Sequence, residues 1–270
     1  MLDFVFLLRN LILYMKILEA FKKLSRLCTF ENVIMLHKTR GIVFKTIKFS
    51  ESSVVCKIYT ERFGMQSYIV SGVRSSKSKM KASVLQAFSL LDMEVYYREN
   101  RNLNRIKEFR PAVVFSSLPF DIVKAATGLF MIEILYKSIR EEEPNAALFN
   151  FIFEKIKELD EAVRISADFL LKFLLELSGL LGFFPNGTYS DQTPQFDLKE
   201  GSFVGQANQP QYLLDEIASQ FLSDLIRNHP MSLSHSNRKK MLEGLLQYYQ
   251  LHVPNFSHPK SLRVLEEIFR

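Results

Sequence analysis

The chain has 270 residues, of which 47% are hydrophobic and 24% charged, a balance typical of a folded globular protein that excludes wholesale disorder. Two cysteines, Cys28 and Cys56, exclude a disulfide scaffold, a cysteine-based zinc site and an iron–sulfur cluster, and they suit a reducing cytoplasm. Charge is unevenly spread, because residues 35–112 hold fifteen Lys and Arg against six Asp and Glu, whereas residues 113–270 hold fifteen against twenty. A basic block of this kind is typical of a module that binds a polyanion, although a lysine-rich solvated surface has the same composition.

The first 34 residues are apolar and basic. A membrane-spanning helix is not predicted, because residues 2–24 are interrupted by Asp3, Arg9, Lys16 and Glu19. A signal peptide is not predicted either, because no small-residue cleavage site follows. Two interpretations remain, an amphipathic helix on anionic lipid or a non-native upstream extension with translation beginning at Met35. We favour the second interpretation.

Residues 37–110 carry the pattern of short strands. Runs rich in β-branched and aromatic residues cover 41–47, 53–60, 65–72, 88–97 and 103–109. Gly64 stands between the second and third runs, where a tight hairpin turn favours glycine. Five short strands in about seventy-five residues predict a small barrel, with an OB-fold as the leading candidate.

Helical periodicity follows from residue 119 onward. It predicts helices over 121–138, 146–159, 163–181, 213–227, 237–252 and 262–269, with an extended, loop-rich insert over 185–211. The predicted class is therefore α+β, an N-terminal OB-fold β-barrel followed by an all-α C-terminal domain. We expect three segments, namely an extension over 1–34, a nucleic-acid-binding domain over 35–112 and a helical domain over 113–270.

The strand block contains one dense cluster of cations, within residues 74–81. Cations separated by serines can follow a phosphate backbone without reading bases. Further cations lie on or beside the first predicted strand, and the full set of predicted DNA contacts is Lys38, Arg40, Lys45, Lys48, Arg74, Lys77, Lys79 and Lys81. The candidate stacking platforms for bases are Phe44, Tyr68, Tyr96 and Tyr97, the alternative being that these rings fill the barrel.

Motifs that carry catalysis are largely missing. The chain has no phosphate-cradling Gly-x-x-x-x-Gly-Lys motif and no Gly-x-Ser-x-Gly elbow. The adjacent acids Asp160-Glu161 and Asp215-Glu216 diverge around a helix axis and indicate solvated faces. The histidine spacings match no common metal-ligand pattern. We expect no enzyme activity, no metal and no cofactor.

Several segments, taken in order, resemble one family. They are residues 39–46, 50–52, 59–64, 72–74 with the Ser/Lys run that follows, 85–88, 103–108, 173–185 and 260–265. Their order and spacing are similar to those of RecO, a family of bacterial recombination mediators. The resemblance implies a non-enzymatic, nucleoid-associated DNA repair protein of the cytoplasm, with an OB-fold and a helical domain and without stable membrane association. It also implies binding and annealing of single- and double-stranded DNA, and loading of RecA, with RecR, onto strands coated by single-strand-binding protein (SSB), whose acidic tail is contacted.

The chain departs from this family in two places. Many members carry four zinc-ligating cysteines just after the segment that corresponds to residues 182–185, and residues 185–211 here contain none. We therefore expect no zinc, and an insert held by packing alone. Members also begin close to the 41–43 strand, which supports Met35 as the start.

Two other functions remain open. Backbone contacts with base stacking also suit an RNA-binding OB-fold module, and residues 1–34 leave a membrane-associated protein open. The helical domain is net negative and is expected to dock proteins rather than DNA. Its candidate contacts for an acidic tail, among which the sequence does not choose, are Lys124, Lys172, Arg238, Lys239 and Lys240.

Overall fold

The computed structural model describes residues 35–73, 82–99, 101–139, 143–205, 209–229 and 234–268. Residues 1–34, with both interpretations of them, lie outside these ranges, as do Arg74, Lys77, Lys79 and Lys81. The first half of the chain forms five strands: β1 (Met35–Lys48), β2 (Val54–Thr60), β3 (Gly64–Val70), β4 (Leu90–Tyr97) and β5 (Asn104–Pro111). β1 has fourteen residues and is twice as long as the strand predicted there.

The five strands close into a barrel in the order β1-β2-β3-β5-β4. Closure depends on the length of β1, since residues 35–42 pair with β4 and residues 41–48 pair with β2. A register shift between Val43 and Lys45 marks an irregularity of the kind that bends a strand from one partner to the next. β3 and β5 run parallel and pair only through Tyr68–Asn104 and Ile69–Arg105. This closed five-stranded arrangement confirms the predicted OB-fold.

Inward-pointing side chains fill the barrel. Its core includes Val43, Cys56, Ile58, Tyr68 and Val95, each fully buried. Of the four rings considered as stacking platforms, Phe44 and Tyr68 are buried and cannot stack on a base, whereas Tyr96 and Tyr97 are partly exposed.

The second half of the chain is mainly helical. Its helices are α1 (Ile122–Ser138), α2 (Ala146–Glu161), α3 (Phe169–Leu180), α4 (Glu216–Ile226), α5 (His235–His252) and α6 (Leu262–Ile268). Side chains of Asp121, Asn145, Asp215 and Ser234 cap the first turns of α1, α2, α4 and α5, which is why these helices begin where they do. The predicted α+β class is therefore confirmed. Among the described helices, none combines the length and apolar character needed to cross a bilayer.

The loop-rich insert contains a small hairpin, β6 (Gln195–Asp197) paired with β7 (Ser202–Val204). Its rings pack together, because Phe196 lies 5.1 Å from Phe203 and 5.7 Å from Tyr248 of α5, measured between ring centroids. Hydrogen bonds also hold it, so the expectation of packing alone is wrong: the Leu214 amide donates to Phe196 O at 2.9 Å and the Leu198 amide donates to Tyr212 O at 2.8 Å. In the described ranges, no group of three His, Cys, Asp or Glu residues is arranged to hold a metal.

Candidate nucleic-acid interface

Three of the predicted contacts lie exposed on β1. Lys38 Nζ lies 3.6 Å from a carboxylate oxygen of Glu94 on β4. Lys45 Nζ lies 5.9 Å from the centre of the Tyr136 ring on α1, and Lys48 is the last residue of the strand. Their exposure suits contact with a polyanion, and their assignment as DNA contacts stays a prediction.

Arg40 has a different environment. Its Nε and Nη2 donate to the two carboxylate oxygens of Glu61 at 3.0 and 2.8 Å, and Nη2 also donates to Asn150 Oδ1 of α2 at 3.1 Å. Its guanidinium carbon lies 5.2 and 4.9 Å from the ring centres of Phe149 and Phe153. The hydrogen bond between Arg40 and Glu61 raises the pKa of the guanidinium and lowers the pKa of the carboxyl. Arg40 therefore joins the barrel to α2, while its role as a DNA contact stays a prediction.

The structure brings together a second group of cations that the sequence pattern does not single out. A cleft of about 490 Å³, here called the basic cleft, is lined by Ser71, Tyr96, Arg98, Arg101, Arg105, Ile106 and Lys107. Tyr96 of β4 pairs with Arg105 of β5 in the strand ladder, so these two lining residues are neighbours. Four cations and one partly exposed aromatic ring line the same cleft, which is the combination that binds single-stranded nucleic acid.

A buried polar chain fixes the β4–β5 turn that forms one wall of the cleft. Asn104 is 2% exposed, and its Oδ1 accepts a hydrogen bond from the Arg98 amide at 3.0 Å. Its Nδ2 donates to Gln66 Oε1 at 3.3 Å, and Gln66 Nε2 donates to Phe63 O at 2.8 Å. Since these groups are satisfied inside the barrel, the turn is held at a set position on the barrel rim.

The described residues that flank 74–81 lie close to the basic cleft. The Ala82 amide donates to Val73 O at 3.3 Å, so the residues on either side of 74–81 lie together. Val73 is two residues from Ser71, which lines the cleft. The described chain on either side of residues 74–81 therefore adjoins the basic cleft.

Carboxylates neutralise part of this surface. Glu94 pairs with Lys107 at 3.0 Å, and Asp92 pairs with Arg110 at 3.2 Å. The hydrogen bond between Lys107 and Glu94 raises the pKa of the ammonium and lowers the pKa of the carboxyl. Within the described part of the chain, Arg101 and Arg105 are both exposed and form no ion pair. These two arginines therefore present unneutralised charge to an incoming phosphate.

The cations that line the cleft are visible in the sequence but are not clustered. These four cations are spread from Arg98 to Lys107 and are interrupted by Glu99, so they lack the density of residues 74–81. The β4–β5 loop is one of the OB-fold loops that commonly contact ligands. Taken with the predicted strands over 88–97 and 103–109, that rule identifies the turn between them as a candidate site.

Comparison with known proteins decides the family. The model of the N-terminal part of recombination protein O matches residues 35–115, and the model of its C-terminal part matches residues 119–191. The chain belongs to the recombination protein O family. This membership confirms the resemblance to RecO seen in the sequence.

Full-length relatives agree with the family models. A DNA repair protein RecO of Bacteroides fragilis is 36% identical over 241 residues, which cover 87% of this chain and 100% of the relative. Its counterpart in Phocaeicola vulgatus is 36% identical over 240 residues, with the same coverage. That of Flavobacterium johnsoniae is 35% identical over 237 residues, covering 86% of this chain and 98% of the relative. The chain therefore belongs to a family of DNA repair proteins.

Proposed function

We propose that this chain is a recombination mediator that binds and anneals DNA without catalysing a reaction. In this proposal it acts on single- and double-stranded DNA and, with RecR, helps to load RecA onto strands coated by SSB. Membership of the recombination protein O family supports the repair role. The basic cleft on the OB-fold barrel is the observation that carries the DNA-binding part.

The cleft suits an unpaired strand for two reasons. Arg101 and Arg105 offer exposed guanidinium groups, which bind phosphate oxygens through two parallel hydrogen bonds. Tyr96 lies among them and is partly exposed, so that a base can stack on its ring. We place the phosphate backbone across the cleft and along residues 74–81, with Lys38, Lys45 and Lys48 as an extension over β1.

Replacing both exposed arginines tests this placement. We expect the double variant Arg101→Gln/Arg105→Gln to bind a fluorescent single-stranded oligonucleotide about tenfold more weakly, because two phosphate contacts are lost. The slope of log affinity against log salt falls by about 1.4 for two such contacts. Fluorescence anisotropy over a range of salt concentrations measures both quantities.

The matched control is Arg164→Gln/Arg263→Gln, which removes the same charge from exposed positions of the helical half. Equal affinities for the two double variants would contradict the cleft as the site. A third variant, with the loop cations Arg74, Lys77, Lys79 and Lys81 replaced by Ala, is expected to lose affinity for all sequences and to flatten the salt dependence. Unlabelled RNA of equal length serves as competitor, and preferential displacement by RNA would favour the RNA-binding function.

The partner part of the proposal concerns the helical half. Of the five candidate cations there, Lys124 is buried and donates to Asp160 O at 2.8 Å, while Arg238 and Lys239 are paired with Asp168 and Glu266. Lys172 and Lys240 are exposed, and Lys240 shares a shallow depression with the exposed Ile217. We propose Lys240 with Ile217 as the contact for the acidic tail of SSB.

Strand annealing on SSB-coated DNA, with and without RecR, tests the mediator activity. We expect annealing by the wild-type chain and a loss for Lys240→Glu/Ile217→Asn on coated strands only. Naked strands are the control, because annealing them needs no contact with SSB. Equal annealing of coated strands by the variant and the wild type would contradict this docking site.

A further inference from the structure

Glu94 occupies an unusual place beside the basic cleft. It lies on β4, on the outer face of the barrel, and its two carboxylate oxygens contact different strands. One oxygen lies 3.0 Å from Lys107 Nζ on β5, and the other lies 3.6 Å from Lys38 Nζ on β1. Lys107 is itself part of the cleft wall. An anion belonging to the protein therefore already holds one of the cations that the cleft offers to DNA.

A bulge in the β4–β5 ladder creates this contact. Glu94 is opposite Glu108, while the next residue on β4, Val95, is opposite Ile106. Lys107 is the extra residue between these two pairs, so it has no partner on β4 in the register. Both Lys107 and Glu108 are exposed, whereas Ile106 and Phe109 are buried. The bulge thus turns an additional cation outward, within reach of the Glu94 carboxylate.

The contact is one that a phosphate can replace. The side chains of Lys107 and Glu94 are 43% and 26% exposed, so water and salt reach both groups. Exposed ion pairs contribute little net free energy and are screened by salt. A carboxylate and a phosphate offer the same kind of oxygen acceptor to an ammonium group. Displacement of Glu94 from Lys107 by a DNA phosphate is therefore an exchange between similar partners.

We propose that Glu94 is an internal competitor for DNA phosphate, which limits the affinity of the basic cleft. The inference rests on the proposed DNA-binding function. In the free protein Glu94 holds Lys107 and Lys38, and in the complex a phosphate takes its place on Lys107 while the carboxylate stays close enough to repel the backbone. A cleft restrained in this way binds a single strand reversibly and releases it to another protein.

A neighbouring carboxylate provides the matched control. Asp92 lies two residues before Glu94 on the same strand, and it pairs with Arg110, which is not among the residues lining the cleft. Glu94→Gln and Asp92→Asn therefore change net charge equally, and only the first frees a cation of the cleft. We expect Glu94→Gln to bind a single-stranded oligonucleotide about fivefold more tightly at low salt, with a salt slope steeper by about 0.7 for one added phosphate contact. Asp92→Asn is expected to change affinity by less than about twofold, because salt screens a charge that lies away from the cleft.

A third and a fourth variant complete the test. Lys107→Gln is expected to weaken binding, and in Glu94→Gln/Lys107→Gln most of the fivefold gain disappears, because the cation freed in the cleft is gone and only Lys38 remains freed. Anisotropy titrations give the four affinities, and thermal unfolding of each variant shows that the barrel is intact. Equal gains for Glu94→Gln and Asp92→Asn would overturn the proposal, because net charge then explains both. No gain for Glu94→Gln would overturn it as well.

The proposed function has a separate outcome. Loss of binding in Arg101→Gln/Arg105→Gln, combined with no effect of Glu94→Gln, would remove the competitor role and leave the DNA-binding cleft in place. Unchanged binding in the arginine variant would remove the cleft itself.

Discussion

At the scale of single residues, Asp160 shows how one carboxylate organises the connection between barrel and helices. Its Oδ1 accepts hydrogen bonds from the amides of Ser117 and Leu118 at 2.9 and 2.7 Å, and its Oδ2 accepts from the Ser116 amide at 2.9 Å. Burial alone would raise its pKa, but the three amide hydrogen bonds more than offset burial and lower the pKa to about 2. The interpretation of Asp160 as part of a solvated face is wrong, because the residue is 6% exposed.

Replacing this carboxylate tests its structural role. Asp160→Asn keeps one acceptor oxygen, puts an NH₂ group where the other acceptor is needed and removes the charge that strengthens all three hydrogen bonds, so we expect the free energy of unfolding at pH 7 to fall by about 3 kcal/mol. The pKa in the folded state is lowered, so this stabilisation is complete above the unfolded-state pKa of 3.8 and is lost as pH falls toward 2. Urea unfolding from pH 7 to pH 2 measures it. Glu161→Gln, at the exposed neighbour, is the control, and a difference that does not shrink in acid would contradict the assignment.

At the scale of elements, the insert that carries β6 and β7 shows how a segment without cysteines is fixed. Ser219 of α4 is fully buried, and its Oγ accepts a hydrogen bond from the Phe196 amide at 2.9 Å and contacts Leu214 O at 3.3 Å. On the other side, Tyr248 of α5 donates its hydroxyl hydrogen to Phe183 O at 2.6 Å. The hairpin is thus anchored to α4 through the buried Ser219 hydroxyl and to α5 through the edge-to-face contact between the Phe196 and Tyr248 rings.

This anchoring leads to a prediction about metal dependence. We expect Ser219→Ala to lower the stability of the chain by about 2 kcal/mol, because a buried amide and a buried carbonyl lose their partner. A strong chelator is expected to leave the thermal midpoint of the wild type unchanged. Thermal unfolding with and without chelator measures both, with Ser236→Ala on the exposed start of α5 as control. A fall in the midpoint on chelation would show that a metal holds the insert.

The strands and helices of this protein can be predicted from its sequence more reliably than the contacts between distant side chains. Alternation of apolar residues indicates the barrel because half of each strand must face its core, and the helices follow from their periodicity in the same way. The basic cleft is not predictable at that level, since it depends on the pairing of Tyr96 with Arg105 and on the bulge at Lys107. The contact between Arg40 and α2 is not predictable either, because its partner Asn150 lies 110 residues away in the chain.

At the scale of the whole molecule, one hydrophobic core connects the two halves. It includes Ile42, Phe44 and Tyr59 of the barrel together with side chains of the helices, and the Tyr59 and Phe149 rings lie 6.2 Å apart. Arg40 reinforces this contact, because it hydrogen-bonds to Glu61 on the barrel and Asn150 on α2. The two halves are therefore packed against each other. The proposed division at residue 112 marks a change of secondary structure and not a gap between separate bodies.

A variant at Arg40 separates its structural contacts from DNA binding. We expect Arg40→Gln to lower the free energy of unfolding by about 1–2 kcal/mol, through loss of the pair with Glu61 and of the ring contacts. If Glu61 and Asn150 keep the guanidinium from contacting phosphate, DNA affinity falls by less than about twofold. Chemical unfolding and anisotropy measure the two effects, with the exposed Lys48→Gln as control for stability. A large loss of affinity at unchanged stability would instead support Arg40 as the phosphate contact that the sequence predicts.

The short pairing between β3 and β5 has a consequence for the motion of the barrel. Only two residue pairs join these strands, and one of them contains Arg105. Every other junction of the barrel is a longer antiparallel ladder, so local opening at the lowest free energy is expected where the fewest hydrogen bonds must break. The same opening would change the basic cleft at Arg105. Because Arg105 belongs both to this short pairing and to the basic cleft, we expect an oligonucleotide bound in the cleft to slow the local opening of the barrel.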